Sequence, residues 1–188
     1  MQEYRFTMTA ASLMVPEFVE LSKSFEESEF CFDKISDFEI KRDRAATMKR
    51  ELSELRLRLK HLSKKEISVI TATGIDNQKL ITFLANVRLY RILREFIEEV
   101  IWDKIAVFDE QLSYRDFANF IYNKTLMYQE IENLSEITIK KVRQVLFKML
   151  EQAGLIDSIK SKKIQIPFLD FEMQNLLSKA DQKYLLNL

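Results

Sequence analysis

The stretch SEITIKKVRQVLFKMLEQAGLIDSIKSKKIQIPF, residues 135–168, decides how this chain is read. Val142, Val145, Leu146, Met149, Leu150 and Ala153 recur at helical spacing and form one apolar face. The opposite side carries Lys140, Lys141, Gln144, Lys148 and Glu151. Ser135 is placed to cap the helix, and Glu136 suits the positive end of its dipole. Gly154 stands where a helix ends in a positive φ. Leu155 and Ile156 then open an extended run, and Ile164, Gln165 and Ile166 alternate with period two. Pro167 closes that run, because it has no N–H to donate. Helix, glycine, strand, basic turn, strand is the order of the second half of a winged helix, so the sequence predicts a short β-hairpin here.

Composition sets the rest of the frame. The chain has 188 residues, of which 47% are apolar and 31% charged, enough for a real core. Two Gly and two Pro leave little turn chemistry, which favours long helices with short connections. The expectation is a mainly helical, all-α fold. A helical bundle over residues 1–110 would carry a basic helix at 41–62, and a winged-helix-like unit would follow over residues 111–188.

Outside the opening stretch, the strongest helix spans residues 41–62. Ala45, Met48, Leu52, Leu55, Leu59 and Leu62 form its apolar seam. Arg42, Lys49, Arg56 and Lys60 fall within about 40° of one another beside that seam. Such a row either faces solvent and pairs with a neighbouring acidic block or follows a row of phosphates. Ser63, Ser113 and Ser178 each precede an acid by three residues, the pattern of a capped helix start. Asp76 is read as another cap. Residues 92–108 read as a core helix that includes Phe108. Trp102 lies off its main stripe and is placed to anchor another helix.

Net charge is zero, so no global field draws the protein to nucleic acid. The charges are nevertheless segregated. Residues 41–65 hold ten basic and three acidic side chains, and residues 137–165 hold seven and two. Residues 13–40 hold two basic and eight acidic side chains, and residues 92–136 hold four and ten. Intramolecular pairing between neighbouring helices is one account of this pattern.

Most enzyme classes lack their residues here. No glycine-rich phosphate loop exists, and one His (His61) and one Cys (Cys31) cannot build a Cys/His zinc site. Glu98, Glu99, Asp103, Asp109 and Glu110 are close in sequence, and Glu39 and Lys41 match the end of a nuclease motif. That motif needs strands where this chain reads helical. The reading is therefore non-enzymatic, with no cofactor and no metal. The longest uncharged run is eleven residues, residues 6–16, against roughly 20 for a membrane-spanning helix. With one Cys and no signal-peptide pattern, the expected location is cytoplasmic.

The nucleic-acid reading rests on geometry. Lys140, Lys141, Gln144 and Lys148 on one helix face suit a major groove, since Gln can pair with adenine and Lys with guanine or phosphate. Lys160, Lys162 and Lys163 would grip the flanking backbone, and the row Arg42, Lys49, Arg56, Lys60 would add a second contact surface. The alternative is an assembly adaptor that meets a basic partner through the acidic block at 92–136.

A family resemblance adds to this. Its residues are Tyr4-Arg5-Phe6-Thr7, Ala11-Ser12-Leu13, Pro16-Glu17, Arg44-Ala45-Ala46-Thr47, Leu55-x-x-Arg58-Leu59, Arg94-Glu95-Phe96 and Asp116-Phe117. Most specific is Thr138-x-Lys140-Lys141-x-Arg143-Gln144-Val145-Leu146-Phe147, with Ala153-Gly154-Leu155-Ile156-Asp157. In these positions the chain resembles the BrxA family of bacterial BREX (bacteriophage exclusion) phage-defence systems. That family was long catalogued as uncharacterised and in places as an inner-membrane family. The resemblance implies a helical accessory protein, off the membrane, that binds double-stranded DNA. It would work beside a DNA methyltransferase, a large ATPase and other BREX components.

Overall fold

Apolar periodicity decides most of the helices, and caps decide where they begin. The computed structural model describes residues 3–35 and 45–187. A short 3-10 turn at Thr7–Ala10 leads into α1 (Val15–Glu27), whose first turn accommodates Pro16. Helix α2 spans Ala45–Leu59, and its seam becomes fully buried only from Leu55 onward. Helix α3 (Lys64–Ala72) starts at a complete capping box between Ser63 and Glu66. Helix α4 (Ile75–Leu89) is capped by Gly74 and not by Asp76, which sits in the first turn and pairs with Lys79 at 2.9 Å.

Helix α4 is buried nearly all round from Leu80 to Leu89, Thr82 and Asn86 included, and it runs through the centre of the molecule. The chain breaks at Tyr90, then resumes as α5 (Arg91–Phe96), a π-helical turn (Ile97–Ile101) and α6 (Trp102–Ala106). Phe108 does not join the core. It is 93% exposed at a positive φ, just past the end of α6. Trp102 does anchor another element: its Nε1 donates to the Lys183 carbonyl at 3.1 Å, and its ring stacks on Tyr184.

Helix α7 (Tyr114–Thr125) begins at the Ser113/Asp116 capping box. A short α8 (Gln129–Glu132) precedes α9 (Glu136–Gln152). Phe96, Phe117, Phe120 and Phe147 meet at centroid distances of 5.4–6.5 Å and lock α5, α7 and α9 together. Helices α10 (Phe171–Leu176) and α11 (Lys179–Tyr184) close the chain, with Ser178 capping the latter. One apolar core runs from Tyr4 to Leu186.

The mainly helical expectation agrees with this architecture, but the β-hairpin and the winged-helix assignment are wrong. Among the described residues there is no β-strand, only two isolated antiparallel bridges, Ile156 with Ile164 and Gln111 with Lys163. The reason lies in residues 157–163. Asp157 Oδ1 gathers the backbone N–H groups of Ser158 (2.6 Å) and Lys163 (2.9 Å), and Lys162 adopts a positive φ. This compact turn consumes the length a hairpin needs. In the run that follows, Ile164 is buried but Ile166 is 62% exposed, and Pro167 cannot extend a ladder.

Candidate nucleic-acid interface

Helix α9 has the two faces its sequence requires. Val142, Val145, Leu146, Met149 and Leu150 are buried, and Lys140, Lys141, Gln144 and Lys148 are all exposed. Its 17 residues give a rod of about 26 Å. Ser135 accepts from the Thr138 N–H at 3.2 Å. At the other end Gly154 takes φ 78°, and the Leu155 N–H returns to the Leu150 carbonyl.

The basic face of α9 borders a cleft of about 420 Å³. Lys141, Gln144 and Lys148 line one wall, and the N-terminal segment from Thr9 to Met14 lines the other. Glu51 of α2 and Ile159 complete it. Lys148 pairs with Glu151 at 2.7 Å, and Ile159 N–H donates to the same carboxylate at 3.0 Å. These two bonds, led by Lys148, hold the Glu151 carboxyl below its ordinary range.

The N-terminal wall is held from inside by α2. Arg58, with no solvent exposure, donates to the carbonyls of Ser12 (2.5 Å) and Ala11 (2.7 Å) and to the Tyr90 hydroxyl (3.2 Å). The Tyr90 hydroxyl donates onward to Glu54, which also accepts from Thr7. Burial, together with the Glu54 carboxylate, pushes the Tyr90 phenol well above its usual range, with Arg58 acting in the opposite sense. The charge on Arg58 is thus balanced through a phenol relay and not by direct contact. Arg58 matches the family pattern, but its inward role was not legible in the sequence, because its partners lie 32 to 47 residues away.

The structure does not bring all the predicted basic residues to that cleft. Arg56 and Lys60 lie over the Phe32 ring at 5.9 and 5.7 Å. On α2 they and Lys49 are about 140–180° from Glu51, so this row points away from the α9 cleft. Lys49 and Lys60 are exposed, and Arg42 lies outside the described residues.

The turn lysines divide as well. Lys160 is exposed. Lys162 is half-buried, with its ammonium 4.6 Å from the centre of the Tyr114 ring and bonded to the Lys160 carbonyl at 3.0 Å. Lys163 pairs with Glu110 at 3.0 Å. Arg143, which the groove-facing set omitted, lies over the same Tyr114 ring at 4.5 Å. At 100° per residue Arg143 falls between Leu150 and Lys140, at the border of the apolar face, and that position was the available signal.

The carboxylates of residues 92–136 turn largely to structural partners. Lys124, nearly fully buried, bonds Glu95 at 2.8 Å and Glu99 at 2.5 Å. Glu95 also accepts from Arg91 and from the Tyr4 hydroxyl. Glu98 accepts from Tyr184, and Lys104 pairs with Asp109. Among the described residues no group of three or more His, Cys, Asp or Glu side chains is arranged to hold a metal ion. His61 is half-buried, and burial followed by the nearby Arg88 and Arg5 lowers its pKa. No helix among the described residues is long and apolar enough to cross a membrane.

The fold and this surface define a class: a mainly helical protein with one long helix presenting a basic face beside a narrow cleft. The BrxA family model matches residues 2–181, and the chain belongs to the BrxA family. It is 25% identical over 142 residues to the BREX protein BrxA of Escherichia coli O9:H4 (strain HS), spanning 76% of this chain and 67% of that one. It is 26% identical over 177 residues to the BREX protein BrxA of Bacillus cereus (strain H3081.97), spanning 92% and 88%. The fold is similar to the crystal structure of an uncharacterized protein from Magnetospirillum magneticum, with a TM-score of 0.79 at 15% identity, covering 98% and 97% of the two chains.

Proposed function

We propose that this protein is a non-enzymatic, double-stranded DNA-binding accessory component of a BREX phage-defence system. The observation that carries the reading is the solvent face of α9. Four side chains suited to phosphate and base edges, Lys140, Lys141, Gln144 and Lys148, are exposed together on one face of a 17-residue helix. Lys160 extends that face toward the flanking backbone. Lys49 and Lys60, on the far side of α2, form a second and separate basic surface. Membership of the BrxA family and its relatives' place in BREX support work alongside the other BREX components, the methyltransferase and ATPase among them.

The test is a binding titration on a duplex of about 20 base pairs at two salt concentrations. Six phosphate contacts imply a log–log salt slope of about −5. Lys140→Glu/Lys141→Glu should abolish binding while the protein stays folded. A flat salt response, or an unaffected double variant, would sink the proposal.

An adaptor acting through the acidic block at 92–136 would rely on its exposed acids Asp103, Glu130, Glu132 and Glu136, because other carboxylates of the block are held by partners within the fold. Lys124, Arg91, Lys104 and Tyr184 engage much of that charge.

A further inference from the structure

Helix α7 carries two apolar stripes. Phe117, Phe120 and Ile121 face the core. Tyr114, Ala118 and Tyr122, at intervals of four, face out, and Tyr122 is 64% exposed. Across from Ala118 and Tyr122 stands Ile137 in the first turn of α9, 81% exposed. Between the two helices lies a groove of about 660 Å³, and every residue lining it comes from α7 or α9. The surface it presents is mainly carbon. Isolated exposed apolar residues need no explanation, but a row at helical spacing facing a second helix across a groove is a binding feature.

We infer that this groove docks an amphipathic helix of a partner protein, one with an apolar ridge flanked by Asp or Glu. Three observations choose that occupant. On α7 the groove is lined by Ala118, Ile121, Tyr122 and Thr125, at i, i+3, i+4 and i+7, the spacing of ridges that interdigitate with another helix. Ala118, one turn before Tyr122, is small and permits close approach of a backbone. The rim is basic: Lys140 and Arg143 line the α9 side against a single acid, Glu136. Arg143 is held over Tyr114, so its charge is fixed at the groove edge. DNA is a poor occupant, because two cations in a mainly apolar lining cannot follow a phosphate backbone. The inference is independent of the DNA reading; the two surfaces share only Lys140.

A library of displayed random peptides about 16 residues long, some four helical turns, tests this by panning on the full chain. Selected peptides are expected to carry apolar residues at spacings of three and four with acids beside them. A synthetic copy should bind saturably, and its Lys-for-Glu counterpart should not. The neutral variant Ala118→Gln/Tyr122→Ala should weaken the peptide by at least about tenfold, as loss of a buried aromatic anchor does. The same variant should keep its duplex affinity and its thermal midpoint, which separates failure here from failure of the DNA reading. Selected peptides without the acidic amphipathic pattern, or binding that ignores the variant, would overturn the inference. Failure to select any groove-dependent peptide would do the same. Loss of duplex binding in the variant would assign the groove to DNA instead. Self-association of the wild type that the variant abolishes would assign it to a second copy.

Discussion

Arg58 reaches 47 residues back along the chain to the Ala11 carbonyl, bonding it at 2.7 Å from a position with no solvent exposure. A residue of the basic helix α2 therefore acts inward, and what it holds is the wall of the cleft beside α9. Three parts of the fold meet at this guanidinium: the N-terminal segment, α2 and, through Tyr90, the break before α5. Truncating it strands two buried carbonyls and the Glu54 charge. Arg58→Met should cost on the order of 3 kcal/mol in urea unfolding. Arg58→Lys should recover little of that, because an ammonium cannot fork between carbonyls. A loss under about 1 kcal/mol, the worth of a single hydrogen bond, would show that the relay is dispensable.

Acid should destabilise the fold through its clamped carboxylates. Burial acts to raise the Glu66 carboxyl, but the bonds from Arg88 and Ser63 more than offset it and hold it below its ordinary 4.5. Glu95 follows the same pattern, with Lys124, Tyr4 and Arg91 overcoming burial. A folded pKa below the unfolded one means stability that is present above about pH 4.5 and lost as pH falls through the folded value. Urea midpoints measured from pH 7 down to 3 should therefore decline, and more gently in Glu95→Gln. That variant should start about 1–3 kcal/mol lower at neutral pH. An unchanged acid slope would remove Glu95 from the account.

Gly154 gives a test free of packing effects. Its φ is 78°, and a Cβ added there would meet nothing within 4 Å. The cost of Gly154→Ala is then conformational alone, about 1–2 kcal/mol, and Gly154→Asn should cost less. Circular-dichroism melts of both variants would check the order. Equal midpoints for glycine and alanine would mean that the α9 terminus tolerates another geometry.

The basic residues should not contribute equally to duplex binding. Removing an exposed phosphate contact lowers the salt slope by about one. Lys141→Ala and Lys160→Ala should each do so. Lys162→Ala should change the slope less and stability more, since its ammonium lies over Tyr114. Affinities at several salt concentrations, beside melting curves, would separate the two effects. A full unit lost with Lys162→Ala would mean that it leaves the ring to reach DNA.

Much of the molecule was determined locally. Apolar spacing placed α9 and the buried part of α2, and Ser63, Ser113, Ser135 and Ser178 each cap the helix expected of them. These features depend on residues three or four positions apart, where backbone geometry settles contact without help from the rest of the chain. The two-faced character of α9 belongs with them, since 100° per residue puts its lysines opposite Leu146 and Ala153.

Tertiary structure decided what local pattern left open. Whether residues 155–156 and 164–166 became a hairpin depended on the turn that Asp157 organises, and they meet at a single bridge. The direction of Arg58, the separation of the α2 basic row from α9, and the use of acids at 92–136 as internal partners depend on residues tens of positions apart. A charge run reads the same whether its partners are water, phosphate or a neighbouring helix. Only the packing of α2, α5 and α7 around α4 and α9 assigns each charge its neighbour, because Coulomb energy follows distance in space and not along the chain.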